Sequence, residues 1–126
     1  MVREFSKEMI EAGGEFLALL DRAKFRVRAG FWFHFPESER WRLVIASPEV
    51  RLRGSLVAYR KIHSVVRKVP SASELFDDIS AVPDTDPLVK LLRKGVGTGP
   101  RGRGIRLSRS GINGKYIDDA YIYRLS

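Results

Sequence analysis

The sequence predicts a single α+β domain over residues 1–126, in which helices pack on a mixed, mainly antiparallel sheet of about five strands. Three observations predict this class: an amphipathic helical repeat over 3–23, two-residue alternation over 25–35, and a helix-start signal at Asp86-Pro87. At 44% hydrophobic residues, the chain has enough apolar material for one core. The predicted order of elements is α-β-β-α-β-α-β-β.

The first predicted element is a helix in which apolar residues recur at steps of three and four between Phe5 and Ala23. Gly13 and Gly14 interrupt this pattern, and two glycines inside a helix cost roughly 2 kcal/mol relative to alanine. Two outcomes are therefore open. Either the helix begins near Glu15, or another element packs closely against the two glycines.

The next predicted elements are the two strands of an antiparallel hairpin. The first strand covers 25–35 and alternates apolar with polar positions, and the second covers 41–46. The connection between them is predicted to be the five residues 36–40. Because phenylalanine dominates one face of the first strand, that face, with Phe31 and Phe33, is predicted to form the core.

A helix over 48–68 is predicted to follow the hairpin. Its buried face is predicted to comprise Leu52, Leu56, Tyr59, Ile62, His63 and Val66. The side chains predicted to face water are Arg53, Arg60, Lys61, Arg67 and Lys68. A capping box at 71–74 predicts a short helical turn, and a brief strand is expected at 79–82.

The last third of the chain is predicted to begin with a short helix. Asp86 is a favourable cap, Pro87 suits the first helical position, and Gly95 is a typical helix stop. The remaining elements are predicted to be a glycine-rich loop over 95–104 and two strands over 105–108 and 116–125.

Charge is the strongest functional signal in the sequence. The net charge is +8, and the basic residues cluster: 22–68 holds twelve Lys or Arg against three acids, and 90–109 holds seven against none. Such a field attracts polyanions, so nucleic acid or an acidic protein surface is the predicted partner, and a homodimer also fits. The chain has no cysteine and no apolar run typical of a signal peptide or membrane span. The expected location is therefore the cytoplasm.

Two basic segments are predicted to contact nucleic acid. Opposite its phenylalanine face, the hairpin is expected to present interleaved aromatic and basic side chains, which stack bases and hold phosphates. The predicted contact residues are Arg26, Arg28, Trp32, His34 and Arg42 in the hairpin, and Arg101, Arg103, Arg106 and Arg109 in the glycine-rich segment. If a helix covers that side of the hairpin instead, Trp32 belongs to a second packing layer.

Other chemistries fit the sequence less well. The glycine-rich loop leaves a helix and enters a strand, the reverse of a phosphate-binding loop, so no nucleotide cofactor is predicted. The carboxylates over 77–86 lack the partners of a metal-dependent nuclease, so no metal is predicted. Three functions stay open. Nucleic-acid binding without catalysis leads, ahead of a protein–protein interaction module and a small metal-independent ribonuclease using His34 and His63 with Tyr59.

Overall fold

A computed structural model describes residues 5–69, 79–96, 104–112 and 114–126. The helices are α1 Lys7–Arg22, α2 Pro48–Arg53, α3 Ser55–Val66 and α4 Pro87–Val96. The strands are β1 Ala29–Phe35, β2 Arg40–Ser47, β3 Ile79–Pro83, β4 Ile105–Ile112 and β5 Lys115–Leu125. They form one sheet in the order β3-β2-β1-β5-β4, in which β2 and β3 run parallel and the other neighbours run antiparallel. The predicted α+β class and mixed sheet are confirmed.

Helices α2 and α3 form the crossover that two parallel strands require. The Ser47 hydroxyl accepts a hydrogen bond from the Glu49 amide at 3.1 Å, and Pro48 occupies the first turn of α2. Gly54 has a φ of 89°, a left-handed conformation that glycine adopts without strain. The helix predicted over 48–68 is therefore broken in two at Gly54.

Both faces of the sheet are covered. Helices α1 and α3 pack on one face, where Trp32 and Leu43 are buried, and α4 packs on the other face against Phe31 and Phe33. We call these the α1/α3 face and the α4 face. The prediction that Phe31 and Phe33 are core residues is confirmed. Phe25 precedes β1 and is buried on the α1/α3 face, so the phenylalanines of 25–35 do not share one face.

Helix α1 continues through its two glycines, and β5 packs closely against the first of them, Gly13. The Tyr123 hydroxyl lies beside Gly13, where it donates a 2.6 Å hydrogen bond to the Ile10 carbonyl and accepts one from Trp32 Nε1 at 3.1 Å. Trp32 Nε1 also lies 3.2 Å from the Met9 carbonyl. Of the two outcomes left open, close packing is the correct one.

The hairpin register places Arg42 on the face opposite to the predicted one. The turn covers the four residues 36–39, so Phe35 pairs with Arg40 and Phe33 pairs with Arg42. A five-residue connection would have aligned Arg42 with His34 instead. Because side chains alternate along a strand, this shift of one residue moves Arg42 to the α4 face.

The buried face of α3 also differs from the prediction. Ala58, Ile62 and Val65 pack into the core, whereas Leu56 and His63 are exposed. The start of α4 is as predicted, since the Asp86 carboxylate accepts a hydrogen bond from the Leu88 amide at 2.9 Å. The helical turn predicted at 71–74 lies outside the described residues.

Candidate nucleic-acid interface

The aromatic side chains of the hairpin are not available to stack on bases. Trp32 is 1% exposed because α1 covers it, and Trp41 is 8% exposed and stacks on Phe5 with 4.4 Å between ring centres. The expectation that the hairpin presents Trp32 on an accessible aromatic and basic face is therefore wrong. Trp32 belongs to a second packing layer on the α1/α3 face, which was the alternative for this side of the hairpin.

Two of the predicted contact arginines are held by partners inside the fold. Arg42 donates to the Ser80 hydroxyl at 2.6 Å, beside the β2–β3 pairing. Arg106 makes two hydrogen bonds to the Asp119 carboxylate, at 2.6 and 2.7 Å, and its guanidinium carbon lies 5.0 Å from the centre of the Phe5 ring. Both guanidinium groups are held by contacts within the fold, and the charge of Arg106 is partly compensated by Asp119.

The pairing with Arg106 affects the pKa of the Asp119 carboxylate. Burial raises the pKa of Asp119, but the hydrogen bonds from Arg106 and from the Ser108 hydroxyl lower it by more, so the pKa lies below its usual value. The ionised form of Asp119 is thereby favoured in the folded protein. An anion approaching Arg106 would have to compete with this carboxylate.

His34 forms a pair with Asp118 on the neighbouring strand β5. Its Nδ1 donates to Asp118 Oδ2 at 2.6 Å, and Nε2 has no hydrogen-bond partner in the part of the chain that the structure describes. The imidazole is 16% exposed and lies 5.3 Å, centre to centre, from Trp41. His63 lies on the solvent side of α3, and no hydrogen bond or ring contact joins the two histidines within the described residues.

The other predicted contact residues are solvent-accessible or undescribed. Arg26, Arg28 and Arg109 are exposed, and Arg109 has a φ of 48° at a point where the pairing of β4 with β5 is interrupted. Arg101 and Arg103 lie outside the described residues. Of the predicted arginines in the two segments, Arg26, Arg28 and Arg109 are thus the described ones whose side chains are exposed with no hydrogen bond or ion pair to another described residue.

A different basic surface lies on α3. We define the basic face of α3 as the exposed side chains of Arg60 and Lys61 on the helix and of Arg67 and Lys68 in the turn that follows it. Their side chains have no hydrogen bond or ion pair to any described residue, and no Asp or Glu occurs anywhere between positions 50 and 73. The sequence predicted that these cations face water but did not select them as a site. The acid-free stretch was the signal that could have found them.

A shallow groove of about 420 Å³ runs along this helix. It is lined by Leu56, Tyr59, Arg60, His63, Ser64 and Arg67. The Tyr59 hydroxyl accepts a hydrogen bond from the Ala81 amide at 2.9 Å, which fixes the tyrosine between α3 and the sheet edge. The groove therefore combines a rigid aromatic side chain with two arginines and a histidine.

At the start of the crossover, unlike at the basic face of α3, the arginines are paired with carboxylates. Arg51 donates to both oxygens of Asp84, at 3.0 and 3.3 Å, and Arg53 lies 3.5 Å from Glu49. The hydrogen bond from Arg51 holds the pKa of Asp84 below its usual value. Within the described part of the crossover, the cations without an ion pair to a described residue are therefore those of the basic face of α3.

Neither a metal site nor a membrane-spanning helix is found among the described residues. No group of three or more His, Asp or Glu side chains is placed to hold a metal ion there, and none of the helices there is long and apolar enough to cross a bilayer. Comparison of the chain with protein-family models, with curated proteins and with solved structures finds no match.

Proposed function

We propose that this protein binds nucleic acid, without cleaving it, through the basic face of α3. The observation that carries the proposal is the set of four exposed cations in a stretch of 24 residues, 50–73, that contains no acid. Each phosphate that such a cation neutralises releases counterions, which favours association. The cysteine-free sequence fits the reducing cytoplasm, where such a partner would be met.

The spacing of the side chains supports this proposal. Arg60, His63 and Arg67 follow one side of α3 at three- and four-residue steps, and Lys61 and Lys68 lie on the adjacent side. At 1.5 Å per residue, Arg60 and Arg67 are separated by about 10 Å along the helix axis, so they reach different phosphates. Arginine forks bind phosphate oxygens in pairs, which suits them to this role.

The test measures binding of a fluorescent single-stranded oligonucleotide of about 20 nucleotides by anisotropy at several salt concentrations. We expect the logarithm of the association constant to fall linearly with the logarithm of salt concentration. In the Arg60→Gln/Arg67→Gln variant, the slope should shrink by about 1.4, or about 0.7 for each lost phosphate contact.

The matched control removes the same charge from the other side of the sheet. Lys90→Gln/Lys115→Gln changes two exposed lysines, one on α4 and one at the start of β5, and should leave the slope unchanged. Equal loss in both variants would mean that binding follows total charge, and the proposed site would be wrong. An absence of oligonucleotide binding would favour an acidic protein as the partner.

A further inference from the structure

The groove along α3 contains side chains that phosphate binding does not use. Arg60 and Arg67 supply its positive charge, whereas Leu56, Tyr59 and His63 add apolar and ring surface beside them. Leu56 is 66% exposed, and neither ring contacts another ring among the described residues. We propose that this groove is the site for one unstacked base of a single-stranded nucleic acid, held against Tyr59 and His63.

The order of these side chains along the helix fits a nucleotide chain. Tyr59 and His63 are four residues apart, so they lie one above the other on one side of α3, with about 5–6 Å between their Cβ atoms. Arg60 is adjacent to Tyr59, and Arg67 lies four residues beyond His63. A backbone whose phosphates contact the two arginines therefore has an intervening base beside the two rings.

The Tyr59 ring is held in place before a ligand arrives. Its hydroxyl accepts the 2.9 Å hydrogen bond from the Ala81 amide of β3, so the side chain is already ordered in the free protein. Ordering a side chain on binding reduces affinity, and a side chain fixed in advance avoids that cost. The structure thus supplies a preorganised aromatic surface between two guanidinium groups.

The remaining lining group adds little selectivity for particular bases. The Ser64 hydroxyl donates to the Lys61 carbonyl at 2.7 Å, so its proton is already used within the helix. Recognition then depends on stacking, which tolerates any base because every base has an aromatic face. This inference rests on the proposed function, since it states how the same site contacts the bases as well as the phosphates.

Anisotropy titrations with two fluorescent strands of about 20 nucleotides test the inference. One strand is oligothymidylate, and the other carries an abasic sugar at every position, so the two strands have the same number of phosphates. We expect the wild-type protein to bind the abasic strand at least about fivefold more weakly, which is the lower end of what one stacked base contributes. The salt slopes should be parallel, because the phosphate contacts are the same.

Substitutions in the groove should affect only the strand that carries bases. His63→Ala should weaken oligothymidylate binding by about threefold and leave the abasic strand unchanged, and His63→Phe should restore the loss. Tyr59→Leu, compared with Tyr59→Phe, should reduce the preference for bases in the same way. Because Tyr59→Leu also removes the hydrogen bond to Ala81, its stability is measured by urea denaturation. His63 is exposed, so His63→Ala provides the test even if Tyr59→Leu unfolds.

Val57→Ala is the matched control, because Val57 is 45% exposed on α3 but does not line the groove. It should bind both strands as the wild type does. Equal wild-type affinity for the two strands would overturn this inference and leave the proposed function standing. A loss in His63→Ala that is the same on both strands would do likewise. Failure of the wild type to bind either strand would instead overturn the proposed function, and this inference with it.

Discussion

The hydroxyl of Tyr123 occupies the space in which a side chain at position 13 would lie. A Cβ added to Gly13 would overlap this hydroxyl and would come within 2.9 Å of Trp32 Nε1. Helix α1 can approach the sheet this closely only because residue 13 is glycine. The same approach brings Tyr123 within hydrogen-bond distance of the Ile10 carbonyl, so the close packing and the buried polar network depend on each other.

Substituting Gly13 should therefore destabilise the protein. We expect Gly13→Ala to lower the free energy of unfolding by about 1–3 kcal/mol, because overpacking outweighs the gain in helix propensity. Gly14→Ala is the matched control, since an added Cβ there meets its nearest atom at 3.7 Å. It should be neutral or stabilise by up to about 1 kcal/mol. Equal effects in urea denaturation would contradict the packing argument.

Tyr59 is predicted to have a structural hydroxyl and a ring that is free to contact a ligand. Tyr59→Phe leaves the Ala81 amide without its partner and should cost about 1 kcal/mol, measured by urea denaturation. Oligonucleotide binding should stay within about twofold, because the face of the ring is retained. If binding falls while stability is unchanged, the hydroxyl contacts the ligand rather than β3.

The pairing of Asp119 with Arg106 should contribute to stability in a pH-dependent way. Because the pKa of Asp119 is lower in the folded chain, this contribution is present above the unfolded value of about 3.9 and is lost as the pH falls through the folded pKa. Asp119→Asn should cost roughly 1 kcal/mol near pH 7, and the difference from wild type should shrink below about pH 4. Thermal unfolding across this range measures it. Arg106→Gln should remove part of the same pH dependence, and a constant difference at all pH values would contradict the argument.

Catalysis on RNA is not expected. Acid-base cleavage needs a proton acceptor and a proton donor on opposite sides of one phosphate, whereas His34 is paired with Asp118 on the sheet and His63 lies on the solvent side of α3. RNA incubated with the purified protein, with or without Mg²⁺, should remain intact when analysed by gel electrophoresis. Cleavage that disappears in His34→Ala or His63→Ala would reverse this prediction and support the ribonuclease.

Patterns that depend on neighbouring residues were predictable from the sequence. The alternation around Phe31 and Phe33 and the start of α4 at Asp86-Pro87 are local signals, and the structure contains both. The face of Arg42 was not predictable in this way, because it depends on whether the hairpin turn has four or five residues. A single residue in a turn reverses the orientation of every later side chain on the strand.

The site was harder to predict than the fold. The sequence suggested one continuous helix over 48–68, and on such a helix Leu52 and Leu56 align with the apolar face. The break at Gly54 ends the alignment of Leu52 with α3, and Leu56 is exposed because the buried side of α3 is formed by Ala58, Ile62 and Val65 instead. Likewise, nothing in the local sequence pairs Arg106 with Asp119, because the carboxylate comes from the adjacent strand of the sheet.

The crossover between β2 and β3 has a consequence for what the protein can recognise. Helix α3 is held on the sheet by its buried side chains Ala58, Ile62 and Val65, so α3 cannot swing outward without exposing part of the core. In the proposed complex, we therefore expect the nucleic acid to change its conformation more than α3 does. A single strand can bend its own backbone to follow a fixed row of charges, whereas a stiff duplex must already match their spacing. If the proposed function is correct, the fixed position of α3 predicts tighter binding of a single strand than of a duplex of the same length.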